Sequence, residues 1–173
     1  FSDNIGSRLK NYGFDVCVNP FGTLYNPASI LSSVRRMLSG TAFSAEDCVE
    51  IGAGDSRTCS FCHHTSFARA SQTEFIGNAN ARLAEASEFF RESNKVIITL
   101  GTSWCYRHND KDMIVSNCLK RNPMEFVREF LQSSQTTEML REIMELCPDK
   151  QFIFTVSPIR HFKDGAHGNQ LSK

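Results

Sequence analysis

An α/β fold with a mainly parallel sheet is the class this sequence predicts, and three observations carry it. Segments with a helical repeat of apolar residues alternate with short β-rich runs, the order of strand–helix–strand units. Two of those runs, "KVIITL" (95–100) and "QFIFTV" (151–156), are nearly all apolar, as strands covered on both faces are. The longest apolar runs are also far too short to span a bilayer, so no membrane partner is expected.

Each element has its own signal. Residues 2–13, "SDNIGSRLKNYG", read as a short helix that Ser2 caps and Gly13 stops, with Ile5, Leu9 and Tyr12 on one face. "FDVCV" (14–18) reads as a strand of β-branched and aromatic residues. "NPFGTLYNP" (19–27) is a loop dense in turn formers. Asn26 and Pro27 then open a second helix, with Ile30, Val34, Met37 and Leu38 as its core face and Gly40 as its stop. Ser44 and Asp47 have the spacing of a capping box around a short helix. Residues 52–71 show no period, and a loop of about that length is usually functional.

The strongest helix is "EFIGNANARLAEASEFFRES" (74–93), where Phe75, Ala79, Leu83, Ala86 and Phe90 recur on one face. After "KVIITL", residues 103–117 suggest a hairpin that turns at 108–111. Asn122 and Pro123 open another capped helix, with Val127, Phe130 and Leu131 inward. "TTEMLREIMELC" (136–147) makes one more, with Leu140, Ile143 and Cys147 inward. The chain ends in the polar run "KDGAHGNQLSK" (163–173), for which neither helix nor strand is expected.

Bulk properties narrow the function classes. The 173 residues suffice for one domain, expected over 1–173 and truncated at both ends, since the chain opens on Phe1 and closes on a polar run. Nineteen basic residues cancel nineteen acidic ones, so the basic excess of a nucleic-acid partner is missing. Seven cysteines, an odd number, sit mostly in apolar segments, as Cys17, Cys105 and Cys147 do. That pattern suits free thiols in a reducing, cytoplasmic setting better than a disulfide framework, and no export signal appears.

In open α/β sheets ligands bind beyond the carboxyl ends of the strands. Those ends here are "NPFG", "GTSW" and "SPIRH", each rich in small or polar residues. Together with "FSDNIGSRL", "SFCHHTSF", "VSNCLK" and "TVSPIRHFKDG", they resemble the GSCFA family, a branch of the SGNH-hydrolase superfamily. The likeness runs in order over nearly the whole chain.

The resemblance implies a three-layer α/β/α, flavodoxin-like fold, incomplete in this chain, and a serine nucleophile after the first strand. Phe1 and Ser2 match the last two positions of the family's Gly-Ser-Cys-Phe-Ala stretch, with Ser for Ala, which sets the nucleophilic Ser upstream of Phe1. Gly22 matches the oxyanion glycine block. Gly101-Thr102-Ser103-Trp104 stands where the superfamily has Gly-x-Asn-Asp, so Thr102, Ser103 or Asn117 would have to supply the side-chain donor. The general-base His of a D-x-x-H block is expected beyond Lys173. His161, His63 and His64 are the histidine candidates, and Arg160 is placed to bind an anionic group or to pair with Asp164. The implied substrate is a small-molecule or carbohydrate ester, with no cofactor and no metal; the alternative is an SGNH-like binding domain without turnover.

Two other features compete for attention. "CSFCHH" (59–64) contains the C-x-x-C-H spacing of haem attachment and a possible zinc or redox cluster at Cys59, Cys62, His63 and His64. A structural zinc site usually pairs two such knuckles, and only one is present. In the family pattern the histidine pair belongs to the motif and shapes the mouth of the site. "GDS" (54–56) looks like an esterase motif, but no strand-to-helix turn surrounds Ser56.

Overall fold

A computed structural model of the chain describes residues 2–159 and 164–173. Its elements are α1 (Ser2–Asn11), α2 (Pro27–Ser39), β1 (Val49–Glu50), β2 (Thr58–Cys59), α3 (Gln72–Glu92), β3 (Lys95–Leu100), β4 (Trp104–His108), β5 (Met113–Val115), β6 (Phe126–Phe130), α4 (Ser133–Leu146), β7 (Gln151–Val156) and α5 (Gly165–Leu171). The fold is α/β. Parallel pairing joins β3 to β7, from Lys95 opposite Gln151 to Leu100 opposite Val156. Antiparallel pairs β1–β2 and β5–β4–β6 form two further sheets. Among the described residues no helix is long and apolar enough to cross a membrane.

Local chemistry explains the helices. Asn26 accepts a hydrogen bond from the Ser29 backbone at 2.8 Å, Pro27 takes the first helical position, and Gly40 ends α2 at φ +65°. Leu31, Val34 and Met37 of α2 are buried, with Ile30 packed against the same core. Leu38 lies at the exposed margin, since 100° per residue carries it past the core-facing stripe of 30, 34 and 37. All five residues of the expected α3 stripe are buried, and so are Ile143 and Cys147 beside α4. Helix α2 packs against both α3 and α4, which closes the core between them. Ser44 and Asp47 form their capping box around a single 3₁₀ turn.

Five expectations change. Residues 14–18 have no ladder partner among the described residues, and Phe14 is exposed. In β3 and β7 only Ile98 is fully buried, while Ile97, Ile153, Phe154 and Val156 remain exposed, so this pair is not covered on both faces. Asn122 does cap, accepting from the Met124 backbone at 3.0 Å, but the helix lasts one turn, Pro123–Glu125. Beyond it "FVREF" is extended and pairs with β4, where Phe126 is buried and Val127 exposed. The 52–71 stretch contains β2 and a 3₁₀ turn, Thr65–Phe67. The terminal polar run forms α5.

Candidate active site at the strand ends

Loop 19–26 and the ends of β3 and β7 meet. The Tyr25 carbonyl accepts from the backbone N–H of Gly101 and of Thr102, both at 3.0 Å. The Ser157 N–H donates to Leu100 O at 2.8 Å, which draws in the end of β7. Helix α1 joins through Asn19, whose Nδ2 donates to Ser2 Oγ at 3.0 Å and to Asp3 Oδ1 at 2.6 Å. Thr23 donates to the other Asp3 oxygen at 3.2 Å. Gly101 permits this approach, because a Cβ there would lie 2.8 Å from Tyr25 O.

The same bonds revise the expected oxyanion donors. Gly22 N–H donates to Asn19 O at 2.8 Å, closing a turn, and Gly101 N–H is held by Tyr25. Neither is free to bind an oxyanion in this arrangement. Gly22 has a steric role instead: at φ +80° it lies where a Cβ would stand 2.4 Å from the Cβ of His64. Ser103 donates from both its backbone N–H (3.1 Å) and its hydroxyl (3.2 Å) to Ser172 O. Thr102 Oγ1 accepts from Trp104 N at 3.1 Å, which leaves its own hydroxyl proton to donate. Asn117 builds a turn, accepting from Leu119 N at 2.8 Å.

Helix α5 contributes residues that the polar reading of the terminal run hid. Asp164-Gly165-Ala166-His167 has D-x-x-H spacing and lies within the chain, not beyond Lys173. The four letters alone carried the signal. Asp164 occupies the N-cap of α5 without capping it, because its carboxylate is bound by Arg128. The Arg128 guanidinium lies 4.0 Å over the Trp104 ring, and that ring meets Phe130 edge-on. Among the described residues the buried Trp104 Nε1 has no hydrogen-bond partner. His167 is exposed, and its i, i+3 relation to Asp164 sets both on one side of the helix. At the other end Lys173 Nζ donates to Gly101 O, and burial pushes the Lys173 pKa down. Arg160 and His161 lie outside the described residues, and Asp164 is paired with Arg128.

His63 and His64 separate. His63 is 1% exposed and enclosed by Phe21, Phe43, Phe67 and Phe75, with ring centroids 4.5–5.4 Å away. Its Nδ1 meets Ser60 Oγ at 2.7 Å, and burial drives its pKa down to about 3, so it is a neutral core residue and not part of a mouth. His64 donates its backbone N–H to Phe21 O at 3.0 Å and accepts at Nδ1 from Ser66 N at 3.2 Å. It lines a cavity of about 260 Å³ together with Ile51, Asp55, Arg57, Ser66 and Lys120. A separate, mainly apolar groove borders β3, with Asn19, Gly22, Ile30, Phe90 and Val96 among its walls.

The cysteine cluster does not assemble. Cys59 is fully buried and its thiol faces His64 O at 3.8 Å; burial raises its pKa to about 11 and raises that of Cys62 as well. Such thiols resist the thiolate form that metal and redox chemistry require. Among the described residues no group of three or more His, Cys, Asp or Glu is placed to hold a metal ion. Ser56 is exposed in a loop and leads into a two-residue strand, not a helix.

The family model of the GSCFA family matches residues 1–173. No curated protein and no solved structure matches the chain.

Proposed function

From the premise that the chain belongs to the GSCFA family, we propose that it serves an SGNH-type serine hydrolase or acyltransferase acting on an ester or acetyl group, with carbohydrate esters as the substrate class. One observation supports this most: α5, with its D-x-x-H, is docked on the Gly101–Ser103 strand end that also meets loop 19–26. The nucleophile is the Ser upstream of Phe1, delivered at the start of α1. His167 takes its proton as general base and later returns it to the leaving group. Asp164, paired with Arg128, balances the imidazolium that forms. The Thr102 hydroxyl is the donor left for the oxyanion. The seven free thiols support a cytoplasmic setting.

A fluorophosphonate probe tests the reading on the polypeptide that includes the residues before Phe1. Label is expected on the upstream Ser and not on Ser56, and His167→Ala should slow labelling by roughly 10²–10⁴-fold. Absence of label removes catalysis. A non-catalytic SGNH-like binding domain is the second reading, favoured by the engaged N–H groups of Gly22 and Gly101. It predicts saturable ligand binding with no ester turnover.

A further inference from the structure

We propose that the cavity beside His64 is a binding site for a small oxyanion group, a carboxylate or a phosphate, with Lys120 as its principal cation. Three loops wall it. Residues 52–57 carry left-handed backbone at Ala53 (φ +59°) and Gly54 (φ +78°). Residues 117–121 carry it at Leu119 (φ +52°) and Lys120 (φ +54°), a conformation unfavourable for side chains such as these. The third loop presents His64, Thr65 and Ser66.

The first two loops are locked together. Gly52 N–H donates to Leu119 O at 2.8 Å, and a Cβ on Gly52 would stand 2.1 Å from Lys120 O. Leu119 is fully buried, and Asn117 caps its N–H. Lys120 is therefore fixed at its Cα while its side chain extends from an exposed position.

Apart from the Thr65 and Ser66 hydroxyls, which can also accept, the unengaged polar side-chain groups of the lining are donors. Lys120 makes no hydrogen bond or ion pair among the described residues. Arg57 spends Nε (2.9 Å) and Nη2 (2.7 Å) on Asp55, which leaves Nη1. Since His64 Nδ1 accepts from Ser66 N, the proton of the neutral ring sits on Nε2, a further donor. Asp55 is the one carboxylate in the lining, and the Arg57 fork occupies both of its oxygens. Arg57 and Asp55 cancel, so Lys120 leaves the cavity one positive charge in excess. A surplus of donors and of positive charge selects an anion over a cation or a neutral sugar face. Buried Ile51 supplies apolar surface for whatever carries the charge.

The position also has meaning. His64 backs directly on Gly22 and bonds to Phe21 O, so the cavity shares a wall with the strand-end loop. An acidic substituent on a ligand of that loop would fall here. The binding site itself stands whether or not the chain hydrolyses esters.

The experiment is a titration of the chain with inorganic phosphate, with glucuronate and with glucose, read from the imidazole resonances of His64. Saturable binding of at least one anion is expected, and none of glucose. Response to phosphate alone assigns a phosphate ligand; response to glucuronate alone assigns an acidic sugar. Lys120→Gln should weaken binding by about tenfold and Lys120→Arg should restore most of it, whereas Lys10→Gln on α1 should leave it unchanged. The proposal is overturned if neither anion saturates, if glucose binds equally, or if K10Q weakens binding as much as K120Q.

Discussion

Adjacent in the chain, His63 and His64 head two regions built on opposite principles. Around His63, four phenylalanine rings enclose the imidazole, whose Nδ1 meets Ser60 Oγ. Around His64, short loops bonded backbone to backbone hold charged side chains at the surface of a cavity. The first region derives its stability from apolar burial and the second its shape from tight turns. A titratable residue type alone therefore says little about role; the neighbours decide.

The comparison breaks most visibly if the aromatic cluster is opened. Phe75→Ala removes a fully buried ring and should cost about 3–5 kcal/mol in urea unfolding. A loss near that of a surface change would mean the cluster is not the core.

Next in size is the pH dependence. The His63 pKa lies near 3 when folded against an ordinary 6.5, so between those values the unfolded chain binds a proton that the folded one refuses. Stability is complete above 6.5 and falls as pH drops toward 3, by about 1.4 kcal/mol per unit. His63→Leu should remove that component, seen as a shallower difference in unfolding midpoint between neutral and acidic buffer. An unchanged slope would place a solvated imidazole at 63.

The loop region should respond to bulk rather than to burial. Gly52→Ala forces a methyl against backbone atoms, Lys120 O at 2.1 Å and Arg121 Cα at 2.6 Å, and should cost about 1–3 kcal/mol. Asp55→Asn should have the least effect. The Asp55–Arg57 pair is solvent-exposed, and although Arg57 holds the Asp55 pKa near 2, no measurable shift in unfolding midpoint is expected. A clear destabilisation by Asp55→Asn would show that the cavity wall depends on that pair.

What the sequence made legible was whatever depends on near neighbours. The α3 stripe, the Asn26–Pro27 start, the Ser44 capping box and the β4–β5 hairpin are local, and each is found. Strand partners are not local. The run 14–18 has strand composition yet no ladder among the described residues, and the apolar β3 and β7 leave side chains of both faces exposed. At 122–130 a correct start signal was followed by a segment whose non-local pairing with β4 took over after one turn. The candidate site was half legible. Gly101 and Thr102 do meet loop 19–26, but the N–H groups expected to be free are engaged. Asp164 and His167 were missed because small and polar neighbours masked a helix held at both ends by Arg128 and Ser103.

The β3–β7 ladder has a kinetic consequence. It joins stretches 56 residues apart, as the Thr99–Thr155 hydroxyl contact at 2.9 Å marks. Closing so long a loop costs chain entropy before any pairing repays it, whereas α3 and the β4–β5 hairpin need only nearby residues. The ladder should assemble late in refolding and, with apolar side chains of both faces open to water, let go early when the molecule unfolds.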